Sequence, residues 1–296
     1  MGKASRLKQQ RREASEQSQG GASSGGGQHR TLLALLTKEP FQPIRLYWAV
    51  PEREEVLAKL ASLGCIALDA NEEGCWGWLF DAESASLPIG AGYEAVPVDR
   101  RPLVLGRIRF PRSSLMTLDT NSTERAVEGA RFFARHLGPG STLIRGRVVD
   151  RLFSGEEGEK DGIHALMKML DQNVTVRDPR EAEAQMQKDL QGVYGREGVT
   201  QALEARQRKL METGGDDVPL VEDFPLAPEE ETPEFMHLKM ALMLRSIRAM
   251  EHWRGNTDLT LARLIVGMCT GQLDIQGSDA LKDALQKFAD GVASLA

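Results

Sequence analysis

Hydrophobic and polar positions alternate most sharply between residues 103 and 153, and the alternation there sorts charge as well as polarity. In the run from Leu103 to Phe110, Val104, Ile108 and Phe110 fall on one face at period two, and Arg107 and Arg109 fall on the other. Pro111 breaks the run, and Thr120-Asn121-Ser122-Thr123-Glu124 reads as a helix cap. Ala126, Ala130, Phe133, Ala134 and Leu137 then recur at helical spacing until Gly138-Pro139-Gly140 ends the helix. A second strand is expected from Leu143 to Phe153, with Arg145, Arg147 and Arg151 along one side.

Upstream the pattern is equally regular. A short helix is expected around Thr31 to Thr37. Ile44 to Val50 alternates as a strand, and Pro51-Glu52 opens a helix through Leu57, Leu60 and Leu63 that Gly64 stops. Cys65 to Ala70 and Cys75 to Phe80 read as a hairpin with Ala70 opposite Cys75. Strand, helix, hairpin, helix, strand is the order of a ferredoxin-like α+β sandwich of the βαββαβ type, here over residues 29–153 with Leu103 to Phe110 as an extra strand.

Flanking segments follow a different logic. Residues 1–28 hold Lys3, Arg6, Lys8, Arg11 and Arg12 and then mostly Gln, Ser and Gly, so they are expected to be a disordered basic arm. Residues 154–215 read as surface helices after an exposed turn at Gly155 to Glu159. Residues 216–233, with four prolines and Glu229-Glu230-Glu231, read as an acidic linker or as a strap across another part of the protein. Residues 234–296 form an all-α C-terminal region, in which Met236, Met240, Met243, Ile247 and Met250 repeat at steps of four and three, with shorter helices expected near 258–269 and 279–289.

Charge changes this picture more than composition does. Residues 100–151 carry 11 basic and 4 acidic side chains, whereas residues 152–296 carry 16 and 26. A basic centre beside an acidic C-terminal half attracts an outside polyanion, or the two halves face each other within one molecule. Three cysteines, Cys65, Cys75 and Cys269, make no disulfide framework, which favours a reducing, cytoplasmic setting. The opening Met1-Gly2-Lys3-Ala4-Ser5-Arg6 matches neither a myristoylation signal nor a signal peptide, and no apolar run reaches membrane-spanning length.

Candidate chemistry is sparse. The five histidines are scattered, no GxSxG, P-loop or strand-linked GxGxxG appears, and neither a cofactor nor a metal is implied. Asp69, Glu72, Glu73 and Asp81 offer oxygen ligands near the hairpin but lack the spacing of a calcium loop. Trp76, Trp78 and Phe80 are either core or a base-stacking face. The strongest feature is the set Arg107, Arg109, Arg145, Arg147 and Arg151: so many like charges on one sheet face require an acidic cover, which is the protein's own segment 216–233, an acidic partner, or nucleic acid. The methionines Met236, Met240, Met243 and Met250 make either a bundle core or an adaptable partner surface. These features point to a non-enzymatic binding or adaptor protein of a bacterial-type cytosol, with a nucleic-acid-associated protein as the alternative and an enzyme with a dispersed site as the second.

Overall fold

In the computed structural model, residues 30–70, 72–174, 201, 205, 220–226 and 234–270 are described. The expected arm 1–28, the helices beyond 174 up to 215, and the last expected helix lie outside them. The chain divides into two compact units, one drawn from Met1–Val176 and Leu220–Ser246 and the other from Arg177–Pro219 and Ile247–Ala296.

The first unit is a seven-stranded, wholly antiparallel open sheet in the order β2-β3-β4-β5-β1-β6-β7. Its strands are β1 (Ile44–Ala49), β2 (Ile66–Leu68), β3 (Cys75–Phe80), β4 (Leu103–Arg112), β5 (Leu115–Thr120), β6 (Thr142–Val149) and β7 (Val221–Pro225). Two helices, α1 (Arg53–Ala61) and α2 (Thr123–Leu137), cover one face. Val56 and Leu60 of α1 and Ala126, Val127, Ala130, Phe133 and Leu137 of α2 bury against Ile44, Leu46, Trp48, Trp78, Phe80, Ile108 and Leu118. Fully burying a side chain of this kind is worth about 1.5–3 kcal/mol. Gly129 lets α2 lie close, because a Cβ there would come within 2.6 Å of Leu118 and 3.1 Å of Trp78.

The strand between hairpin and second helix is in fact two. Residues 115–120, most of which the sequence pattern left unassigned between the Pro111 break and the helix cap, form β5 and pair with both β4 and β1. The true cap is Ser122, whose hydroxyl accepts from the Arg125 amide, and within α2 Phe132 is buried where Ala134 is exposed. β4 also carries a register shift: Trp78 lies opposite Gly106, but Leu79 lies opposite Val104. The extra residue turns Leu105 into the helix-covered core and places Val104 with Ala67 and Leu79 on the other face, reversing the alternation expected for Val104. In the hairpin, Leu68 pairs with Trp76 and the Asp69 amide donates to the Cys75 carbonyl, one residue out of the expected register.

Two further expectations give way to tertiary contacts. Thr31 to Thr37 is a folded strap bridged to Ser154 and Pro40, with Leu36 and Lys38 at positive φ, since packing against the sheet domain outweighs the helical propensity of its leucines. The expected turn at 155–159 instead opens helix α3 (Gly155–Met167), capped reciprocally by Ser154 and Glu157 and kinked at Gly162, where φ is 75°. A 3-10 turn, Lys168–Asp171, continues it across the second sheet face, and Leu166 and Leu170 pack there with Phe41, Val149, Phe153 and Val221.

Within the acidic segment 216–233, residues 221–225 form β7, the edge strand beside β6. Phe224 enters the helix-covered core over Gly146, where a Cβ would come within 2.2 Å of its ring. Helix α4 (Met236–Trp253) sends Leu238 and Leu242 into the same core. Its methionines follow another side: Met240 and Met243 are half-buried and Met236 is 44% exposed, so the leucine stripe carries the packing onto the sheet. In the second unit, α4 ends at a turn where Gly255 has φ 98° and His252 Nε2 lies 2.8 Å from the Leu259 carbonyl. Helix α5 (Leu261–Thr270) follows, with the Thr260 hydroxyl accepting from the Arg263 amide. Among the described residues no helix is long and apolar enough to cross a membrane.

Candidate anion-binding site

Alternation along the strands leaves the second sheet face to the polar positions, and the register lines them up. One row crosses five strands: Arg107 on β4, Asp119 on β5, Arg45 on β1, Arg147 on β6 and Asp223 on β7. The next row holds Arg109, Thr117, Tyr47 and Arg145. Arg45 and Arg147 are direct cross-strand neighbours, a repulsive pairing that the carboxylates on either side offset.

Asp119, 4% exposed, accepts from Arg45 Nε at 2.5 Å and Nη2 at 2.8 Å and from Arg109 Nη1 at 2.6 Å. Asp223 does the same for Arg147, at 2.5 Å from Nε and 2.9 Å from Nη2. The turn after α3 completes the lattice: the Leu170 carbonyl accepts from both Arg45 and Arg147, the Gln172 carbonyl from Arg147, and Asp171 from Arg45. Burial, the largest single influence, works against the Arg45 and Arg109 charges, but Asp119 together with Asp171 at Arg45 and Glu72 at Arg109 offsets it, and both guanidiniums stay above their ordinary pKa. For Arg147 the hydrogen bond it donates to Asp223 is the largest influence and raises its pKa as well. Glu72 takes the remaining side of Arg109 at 2.9 Å.

Above this lattice lies a cavity of about 700 Å³. Arg45, Arg109, Thr117, Arg145 and Arg147 line it from the sheet, Glu72 and Pro111 from the hairpin side, and His164, Lys168, Asp171, Gln172, Asn173 and Val174 from α3 and the turn. Arg145 differs from its neighbours. It stacks on the Tyr47 ring at 4.0 Å and meets Asp223 through Nη1 at 3.3 Å, its side chain stays 30% exposed, and its Nε is buried with no hydrogen-bond partner.

Of the five arginines expected to act together, the structure brings Arg109, Arg145 and Arg147 to the cavity. Arg107 lies beside it, 3.1 Å from His164 Nδ1. Arg151 does not join them: it follows the end of β6, pairs with Glu157 at 2.7 Å and packs over Phe153, because the strand ends at Val149. Sequence reasoning missed Arg45, although Ile44-Arg45-Leu46-Tyr47-Trp48 alternates as clearly as any stretch here, and it missed Asp119 because β5 was not recognised. Lys168 and Gln172 carried no signal, since only the fold places that turn over the sheet.

Three groups near the hairpin, Asp69, Glu72 and Cys75, have ligand atoms within 4.8 Å of one another. Burial, the largest influence on the Cys75 thiol, pushes its pKa up to about 11 against the pull of Arg109, so it is a protonated and poor ligand near neutral pH. Trp78 and Phe80 are buried core, and Trp76 packs edge-on against Phe110 with their centroids 5.7 Å apart, which leaves no stacking platform on that strand. Compared with protein-family models, with curated proteins and with solved structures, the chain matches none.

Proposed function

We propose that this chain is a binding or adaptor protein that takes an anionic group of its ligand into the cavity on the second sheet face. The observation that carries this reading is the lining: four arginines and a lysine converge on one concavity of about 700 Å³, within the size range of small-ligand sites. Three of those arginines are already held by carboxylates and backbone carbonyls, which gives the site a rigid floor. Arg145, 30% exposed and in contact with Asp223 through Nη1 alone, keeps Nη2 for a ligand. A concave site with one such donor suits a compact anion better than the extended phosphate ladder of a nucleic acid, which asks for a row of cations at regular spacing.

The fold reading that goes with it is a ferredoxin-like layer enlarged by three strands. Its support is the placement of β1 between β5 and β6, the two strands that α2 connects. A cytoplasmic setting is supported by Cys65 and Cys75, both buried free thiols.

Calorimetry with small oxyanions tests the function. Saturable one-to-one binding that Arg145→Gln removes supports the cavity. If duplex DNA or heparin binds instead, with a steep salt dependence that Arg145→Gln leaves intact, the nucleic-acid reading replaces it.

A further inference from the structure

Resting on that anion-cavity reading, we infer that the group recognised is a singly charged carboxylate, held by Arg145 and carried on a body that fills the rest of the cavity. The argument is an accounting of donors. Arg45 spends its Nε and both Nη groups on Asp119, Asp171 and the Leu170 carbonyl. Arg147 spends its own on Asp223 and two carbonyls, and Arg109 is divided between Asp119 and Glu72. Arg145 alone among these four has just one polar contact, Nη1 to Asp223 at 3.3 Å, and since its Nε is buried, Nη2 is the donor group left to a ligand. A carboxylate oxygen accepts from Nη2 in a charge-assisted hydrogen bond, and its second oxygen is left for the neutral donors of the cavity wall.

A more highly charged group fits less well. Asp171 and Glu72 line the same cavity, and Asp223 stands behind Arg145, so each further negative charge on the ligand meets three carboxylates. Lys168 supplies one additional cation, on the exposed wall. The Gln172 and Asn173 amides and the Thr117 hydroxyl offer uncharged hydrogen bonds, while Pro111 and Val174 give apolar surface to the ligand's body. The stacking of Arg145 on Tyr47 holds the guanidinium plane in place before the ligand arrives, which lowers the ordering cost of binding.

Two sources share this chemistry, a small organic acid and the C-terminus of a peptide. The test titrates the intact chain by calorimetry and by NMR of side-chain amides, using hexanoate, N-acetyl-Ala-Ala-Leu with a free carboxylate, the same peptide as its C-terminal amide, and inorganic phosphate. The expected result is binding of at least one of the two carboxylates, with shifts of the Gln172 and Asn173 side-chain amides, and roughly tenfold weaker binding for the amidated peptide and for Arg145→Gln. Preference for the peptide acid over hexanoate assigns a chain terminus, and the reverse assigns a small acid. Phosphate binding without carboxylate binding overturns this inference and leaves the anion cavity standing. If none of the probes binds at millimolar concentration, or if the amide binds as tightly as the acid, both fall. The amide shifts in the unsubstituted protein decide the matter even if Arg145→Gln fails to fold, and Lys168→Gln, on an exposed side chain, should weaken binding only about threefold.

Discussion

The two faces of this sheet are built from the same strands and obey opposite rules. The helix-covered face is apolar, with Trp48, Trp78, Phe80 and Phe133 at 1% exposure or less, and is held by close packing under α1 and α2. The other face buries Arg45, Asp119 and Arg147 within 8% exposure, and is held by directed hydrogen bonds between charges. A packed apolar face tolerates volume-conserving change because its attraction has no direction. A charged face does not: removing one partner strands another in a medium that cannot solvate it. Non-directional packing dominates the first face, and a fixed arrangement of charges the second.

The sharpest way to break this contrast is Asp119→Ala, which leaves Arg45 and Arg109 without their shared carboxylate and should cost about 3–5 kcal/mol in urea unfolding. A loss below about 1 kcal/mol would show that water solvates these arginines and that the second face is not a buried charge lattice. On the apolar face, Trp78→Ala should cost about 3–5 kcal/mol through the cavity it leaves beside Phe132 and Phe133, without altering ligand binding in the same protein. Gly146→Ala tests where the faces meet: its new methyl would push Phe224 and loosen β7, so a loss of about 1–3 kcal/mol should accompany faster amide exchange at residues 221–225. A smaller change is expected from the double substitution Arg147→Met with Asp223→Leu. Replacing both partners removes the stranded Arg147 charge but still deprives Arg145 of Asp223, so the loss should be clearly smaller than that of Asp223→Ala alone, and an equal loss would contradict the contrast.

Thiol chemistry gives the mildest test. Burial is the main cause that pushes Cys65 up to about 12, with Glu83 adding to it, and Cys75 is pushed up to about 11. Because the folded value is raised, the native state keeps its proton longer than the unfolded chain does. This contribution is complete below the ordinary thiol value of 9.0 and is lost as the pH climbs through 11 to 12. Both thiols should therefore resist labelling at pH 8 until the protein is unfolded, and prompt labelling of either would show that its strand opens locally.

Local pattern made β1, β3, α1, α2 and the start of β6 legible, since each follows one period and is bounded by Pro, Gly or a capping residue. Two signals were present and overlooked: Ser154 and Glu157 at capping-box spacing, and the alternation of Met116 and Leu118 with Thr117 and Asp119. The register shift at Leu105 was not legible, because an inserted residue leaves no mark in a run of apolar side chains.

By itself, the order of hydrophobic and charged residues determined that this chain builds a mixed α and β layer with arginines on one side of its strands, because side-chain period is a property of local backbone geometry. Which acid neutralises which arginine was decided only by the tertiary structure. Asp119 reaches Arg45 across 74 positions and Asp223 reaches Arg147 across 76. Pairing at such separations depends on strand order and on the path of the chain between, so the difference between Arg145 and the more fully bonded Arg45, Arg109 and Arg147 is visible only in the folded sheet.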